Sequence, residues 1–86
     1  MENKVIIKLN LPEFNKTFDV FLPVNELIWK TKKMIVKSIS DITKVSLNIN
    51  SDYLLMNLDT GRIYKSNEII INTDIRNGSE LVMMRK

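Results

Sequence analysis

The stretch Asn25–Ile39 reads NELIWKTKKMIVKSI, and it is the one long segment of the chain with a helical period. Setting successive residues about 100° apart gathers Val24, Leu27, Ile28, Thr31, Met34, Ile35, Ser38, Ile39 and Ile42 into one broad apolar stripe. Glu26, Lys30, Lys33 and Lys37 fall on the opposite face. Asn25 is the expected N-cap, although Asn25 to Ile28 does not complete a capping box. A single amphipathic helix cannot bury its stripe alone, so a sheet has to cover it.

The segments on either side supply that sheet. Upstream, Val5, Ile7, Leu9 and Leu11 alternate with Ile6, Lys8 and Asn10, the period of a half-buried strand. Pro12–Lys16 reads as a turn, because proline ends a ladder and Asn15 tolerates left-handed geometry. Thr17–Leu22 is a second strand, with Phe18, Val20 and Leu22 on one side and Thr17, Asp19 and Phe21 on the other. So short a link makes the pair an antiparallel hairpin, which Pro23 closes. Downstream, 40–52 reads as a connection with a possible extended stretch at Val45, Leu47 and Ile49. Tyr53–Leu58 (YLLMNL) is a strand apolar on both faces, and Asp59-Thr60-Gly61 is a tight turn. Arg62–Tyr64 is expected as a short return strand, and Glu68–Ile75 as a strand or an irregular, partly helical crossover. Asn77-Gly78 turns the chain into a final strand, Glu80–Met84.

Composition narrows the chemistry. The 86 residues form one domain, 1–86, with 44% apolar and 27% charged residues, an ordinary globular balance. The chain has no cysteine and no histidine, which removes disulfides, thiolate sites and the commonest general base and metal ligand. Of its ten acidic residues, Asp19, Glu26, Asp41, Asp52, Asp59, Glu68, Asp74 and Glu80 are dispersed without the pairing that acid/base catalysis needs. Asp41 and Asp74 read as cap or turn residues, and Gly61 and Gly78 as turns rather than a phosphate loop. No apolar run approaches the roughly 20 residues of a membrane span, and MENKVIIKLN lacks a signal-peptide layout. These features point to a cytoplasmic, non-enzymatic protein without cofactor, metal or small-molecule substrate. A net charge of +3 is too small to indicate nucleic acid.

The order strand, strand, helix, strand, short strand, crossover, strand is that of an α+β fold, the β-grasp. The stretch DTGRIYKSNEIIINTDIRNGSEL, from Asp59 to Leu81, resembles the last third of ubiquitin-like domains, where a glycine turn, a short strand, an apolar crossover and an Ile-x-x-Gly-(polar)-x-Leu ending recur. With FDVFLP before the helix and Ile75–Leu81 (IRNGSEL) near the end, the chain from Val5 to Met84 is similar to small ubiquitin-like proteins of the YukD/EsaB type. Those proteins are associated with bacterial type VII (ESX-like) secretion. The resemblance implies a mixed sheet of four or five strands packed on one helix, and an adaptor or regulator that binds a secretion-machine protein. Conjugated ubiquitin-like proteins end in a flexible Gly-Gly tail, whereas this sequence ends Met83-Met84-Arg85-Lys86, so a non-conjugating role is expected.

Two surfaces are candidates for partner binding. One is the outer helix face, where Trp29 and Val36 share a side with Lys32 and Lys33 between them; Trp is enriched at binding hot spots, and basic neighbours steer an acidic partner. The alternative there is that Trp29 closes over the sheet edge as peripheral core, and that the lysines Lys30, Lys32, Lys33 and Lys37 are simply solvated. The other is the open face of the sheet, carrying Ile6, Phe21, Val82 and Met84, the face that the resemblance marks as the main recognition surface. Scattered apolar surface residues are the alternative for that set. The same residues would equally serve a homodimer. The rival reading of function is a small β-grasp subunit or effector of another multicomponent complex, such as an oxygenase.

Overall fold

The computed structural model describes residues 3–43 and 52–86. The possible extended stretch at Val45, Leu47 and Ile49 lies outside them. Among the described residues, four strands, β1 (Lys4–Leu11), β2 (Lys16–Pro23), β3 (Tyr53–Asn57) and β4 (Glu80–Arg85), and one α-helix, α1 (Ile28–Thr43), form the framework, with two short 3-10 turns. The sheet runs β2-β1-β4-β3. β1 is antiparallel to β2 and parallel to β4, and β3 is antiparallel to β4. This mixed sheet packed on one helix is the ubiquitin-like β-grasp.

The alternation read from β1 and β2 is the alternation observed. Ile7, Leu9 and Leu11 are buried, and the hairpin pairs Lys4 with Pro23 through Leu11 with Lys16. Between the strands, Pro12–Phe14 makes one turn of 3-10 helix and Asn15 takes the left-handed conformation (φ 53°). The inward residues of the strands meet Ile28, Ile35 and Ile39 of α1 in one core, joined by Tyr53, Leu55, Tyr64, Ile70, Ile75, Leu81 and Met83.

The helix departs from its expected position in two ways. It begins at Ile28, three residues after Asn25, so Asn25 is not its cap. Instead the crossover caps it: Ile28 N–H donates to Glu68 O (2.8 Å) and Trp29 N–H to Ser66 O (3.2 Å). Backbone bonds from Ile70 to Glu26 and from Ile71 to Val24 then fasten the same two segments together. The buried stripe is also turned relative to the expectation. Val36, expected outside, is buried, while Met34, Ser38 and Ile42 of the expected stripe are exposed. The reason is lateral placement. Among the described residues β2 is the last strand on its side, and the flank of α1 bearing Ser38 and Ile42 lies beside that edge, with Met34 one turn earlier on the same flank.

The segment Arg62–Tyr64 is not a strand. It makes one bridge, Ile63 opposite Met56, with Asn57 N–H donating to Arg62 O (2.8 Å) and Tyr64 N–H to Leu55 O (3.0 Å). Gly61 (φ 76°) reverses the chain before it, a conformation that costs glycine little. The crossover is irregular with a single 3-10 turn at Ile70–Asn72. Its next turn extends the sheet: Asn77 Oδ1 accepts from Ile6 N–H (2.9 Å) and Gly78 N–H donates to Ile6 O (2.8 Å).

Candidate protein-interaction surfaces

The outer face of the sheet can be laid out row by row from the strand register. Phe21 and Ile6 stand opposite one another at one end of the hairpin. The next row is charged: Asp19 faces Lys8, and Lys8 faces Glu80. The third row runs Thr17, Asn10, Val82, Met56 and Ile63, and the last pairs Met84 with Leu54. The four residues expected on this face are therefore not one patch. The charged row separates Ile6 and Phe21 from Val82 and Met84.

Each half has its own character. Phe21 is 64% exposed and Ile6 is also open, but together they are only two side chains. Val82 lies on β4 between two strands and keeps only 4% of its surface, so it supports this face rather than offering an exposed contact. Met84, Leu54 and Met56 are half-buried, and Ile63 is 54% exposed. The contiguous apolar group is thus Leu54, Met56, Ile63, Val82 and Met84. Ile63 joins it only through the bridge to Met56, a pairing that the sequence reading assigned to a strand without placing its side chain on this face.

The helix candidate splits as well. Val36 belongs to the core, which removes it from any docking surface. Lys32 is half-buried and donates through Nζ to Tyr53 O (2.7 Å); burial lowers its pKa, partly offset by Asp52. That ammonium ties α1 to β3. Trp29 is 40% exposed, with Lys30 Nζ 5.6 Å and Lys33 Nζ 5.4 Å from its ring centre. Trp29, Lys30 and Lys33 remain together on the outside, and Lys32 and Val36 turn inward.

A polar network, not anticipated from the sequence, holds the segment carrying Ile63. The Tyr64 hydroxyl donates to Asp74 Oδ1 and accepts from Asn57 Nδ2 (3.1 Å), and Thr60 Oγ1 donates to Asp74 Oδ2 (3.2 Å). Burial, then the bond to Asp74, pushes the Tyr64 phenol up to about 12. The same bond leads the effects that hold the Asp74 carboxyl below its ordinary value. Arg62 pairs with Glu68 and stacks its guanidinium 5.3 Å from the Tyr64 ring centre. These contacts join the turn after β3, the segment around Tyr64 and the crossover. Among the described residues, no three or more His, Cys, Asp or Glu gather where a metal ion could be held, and no helix is long and apolar enough to cross a membrane.

No family model matches the sequence, and no curated protein matches it. Solved structures do. The chain is similar to a chain of the MycP5-free ESX-5 inner membrane complex (TM-score 0.79, 12% identity), covering 99% of this chain and 21% of that one. This chain thus spans about a fifth of that protein's length. It is similar to the EccD5 ubiquitin-like domain from Mycobacterium xenopi (TM-score 0.70, 12% identity; 99% and 97% of the two chains). It is also similar to a chain of the toluene 4-monooxygenase HD complex with 4-bromobenzoate (TM-score 0.75, 6% identity; 96% and 99%). At these identities the likeness shows the ubiquitin-like fold.

Proposed function

We propose that this protein is a ubiquitin-like adaptor or regulator that works by non-covalent protein contact, without enzymatic activity, in the cytoplasmic part of a bacterial type VII (ESX-like) secretion system. The observation that carries this reading is the contiguous apolar group on the outer sheet face, Leu54, Met56, Ile63, Val82 and Met84. Half-buried apolar residues that adjoin one another on a rigid sheet beside an exposed member, here Ile63, mark an interaction site more often than isolated ones do. The similarity to a chain of an ESX-5 inner membrane complex and to the EccD5 ubiquitin-like domain supports the secretion setting, as does the YukD/EsaB-like pattern of turn and core residues.

A second reading is a small β-grasp subunit of an oxygenase. It is favoured by the likeness to the toluene 4-monooxygenase chain, 99% of which is covered. Affinity capture from the native host separates the two. Recovery of an FtsK-type ATPase or another component of the secretion system supports the first. Recovery of oxygenase subunits alone overturns it.

A further inference from the structure

The outward face of α1 carries a row of cations without counter-charge. Lys30, Lys33 and Lys37 are exposed and follow one another at spacings of three and four residues, along about 10 Å of helix axis. Among the described residues the ion pairs are Arg62–Glu68 and Lys86–Asp52, so none of the three ammoniums is paired with a carboxylate. Asp41, one turn beyond Lys37, makes no ion pair with it. The row also works against the helix. Lys33 and Lys37 are like charges one turn apart, and Lys30 stands in the first turn, where the helix dipole favours acidic side chains and none is present. Residues that break a local stability rule without a compensating contact in their own fold point to a contact outside it.

Apolar side chains border the row on both sides. On one side is Trp29, 40% exposed, whose backbone N–H donates to Ser66 O (3.2 Å) and whose ring lies beside Lys30 and Lys33. On the other is Met34, exposed to a similar degree. Each ammonium has three N–H donors, so contact with the ring leaves donors for an anion. We propose that this face docks an acidic helix of a partner protein, with carboxylates at the same spacing over Lys30, Lys33 and Lys37 and apolar residues beside them against Trp29 and Met34. Charge steers such a segment to the face, and tryptophan, a residue type enriched at binding hot spots, anchors it.

Two other occupants fit less well. Pairing of this face with itself on a second copy would set one lysine row against another. An anionic membrane would meet the lysines, but a helix that lies in the lipid interface buries its apolar face there, and Ile28, Ile35, Val36 and Ile39 of α1 are already spent on the core.

The proposal rests on the reading of this protein as a non-covalent adaptor, but the sheet face carrying Ile63 lies on the other side of the domain. Failure of either surface therefore leaves the other standing. Trp29 is the one tryptophan of the chain, so its fluorescence reports the helix site alone. The test titrates the protein with the peptide Leu-Glu-Ala-Ala-Glu-Leu-Ala-Ala-Glu-Leu-Ala-Ala, whose glutamates repeat the lysine spacing, and with the same peptide carrying Lys in place of each Glu. The glutamate peptide is expected to shift Trp29 emission to the blue, to bind about fivefold more tightly than the lysine peptide, and to weaken as salt rises from about 0.02 M to about 0.2 M. Lys33→Glu combined with Lys37→Glu is expected to melt no lower than wild type and to prefer the lysine peptide. Equal affinity of wild type for the two peptides, or unchanged emission at millimolar glutamate peptide, would overturn the proposal. A blue shift with vesicles of phosphatidylserine and phosphatidylcholine where the glutamate peptide gives none would also overturn it, in favour of a lipid surface.

Discussion

The Tyr64 hydroxyl donates to Asp74 Oδ1 across the turn of the crossover while accepting from the amide of Asn57, itself buried at the end of β3. Removing the hydroxyl in Tyr64→Phe leaves a buried amide donor without a partner, and is expected to cost about 1–3 kcal/mol in chemical denaturation at neutral pH. The pH dependence has a defined sign. The phenol is raised in the folded state to about 12 from an ordinary 10.0, so folding favours its protonated form. That contribution is complete below about pH 10 and is lost as pH rises from there through about 12. Wild type should therefore lose stability over that interval, and Tyr64→Phe should lose less.

At the acid end the expectation concerns Asp74. Its carboxyl is held below the ordinary value of 3.8, first by the bond from Tyr64, so folding favours the carboxylate. The contribution is present above the unfolded value and is lost as pH falls through the lower folded one. An acid titration of Asp74→Asn should show a shallower loss of stability than wild type below pH 3.8. The two curves running parallel would mean that Asp74 is not held by this bond.

Val36 and Trp29 make a paired test of the helix. Val36→Ala removes buried methyl groups from the core and should destabilise by about 2 kcal/mol. Trp29→Ala removes a half-open ring and two ammonium contacts, each worth about 0.5–1 kcal/mol at an exposed site, so its loss should not exceed that at Val36 if the ring lies outside the core. Thermal melts of both variants decide the order. A larger loss at Trp29 would make the tryptophan part of the core and end its candidacy as a contact residue.

Local patterns in the sequence carried much of the fold and little of the surface. Alternation in β1 and β2, the left-handed Asn15, and the Gly61 and Gly78 turns all depend on neighbours within a few residues, and all are observed. The rotation of α1 is different in kind. The apolar residues from Ile28 to Ile42 spread over more than half the helix circumference, so periodicity alone does not choose between Val36 and Met34 as the inward residue. The sheet edge makes that choice, because the flank of α1 bearing Ser38 and Ile42 lies beside β2. The cap of α1 escaped for a similar reason: main-chain carbonyls of Ser66 and Glu68 replace the side chain of Asn25, and carbonyls leave no mark on a sequence. The split of the sheet face depends on Lys8 meeting Glu80, a parallel pairing between residues 72 positions apart. Tyr64 and Asp74 each have an ordinary local reading, as strand and as turn, and only the packed crossover brings them together.

The interaction surface itself is tested at Ile63. This side chain is exposed, it is held on the sheet by a single bridge, and a lysine there reaches solvent without entering the core. Titration calorimetry of wild type and Ile63→Lys against the secretion-system protein captured from the host, with melting temperatures measured alongside, addresses the sheet face directly. Binding weakened tenfold or more, with the melting temperature unchanged, is the expected result. Undiminished binding by a folded Ile63→Lys protein would contradict a role for this face.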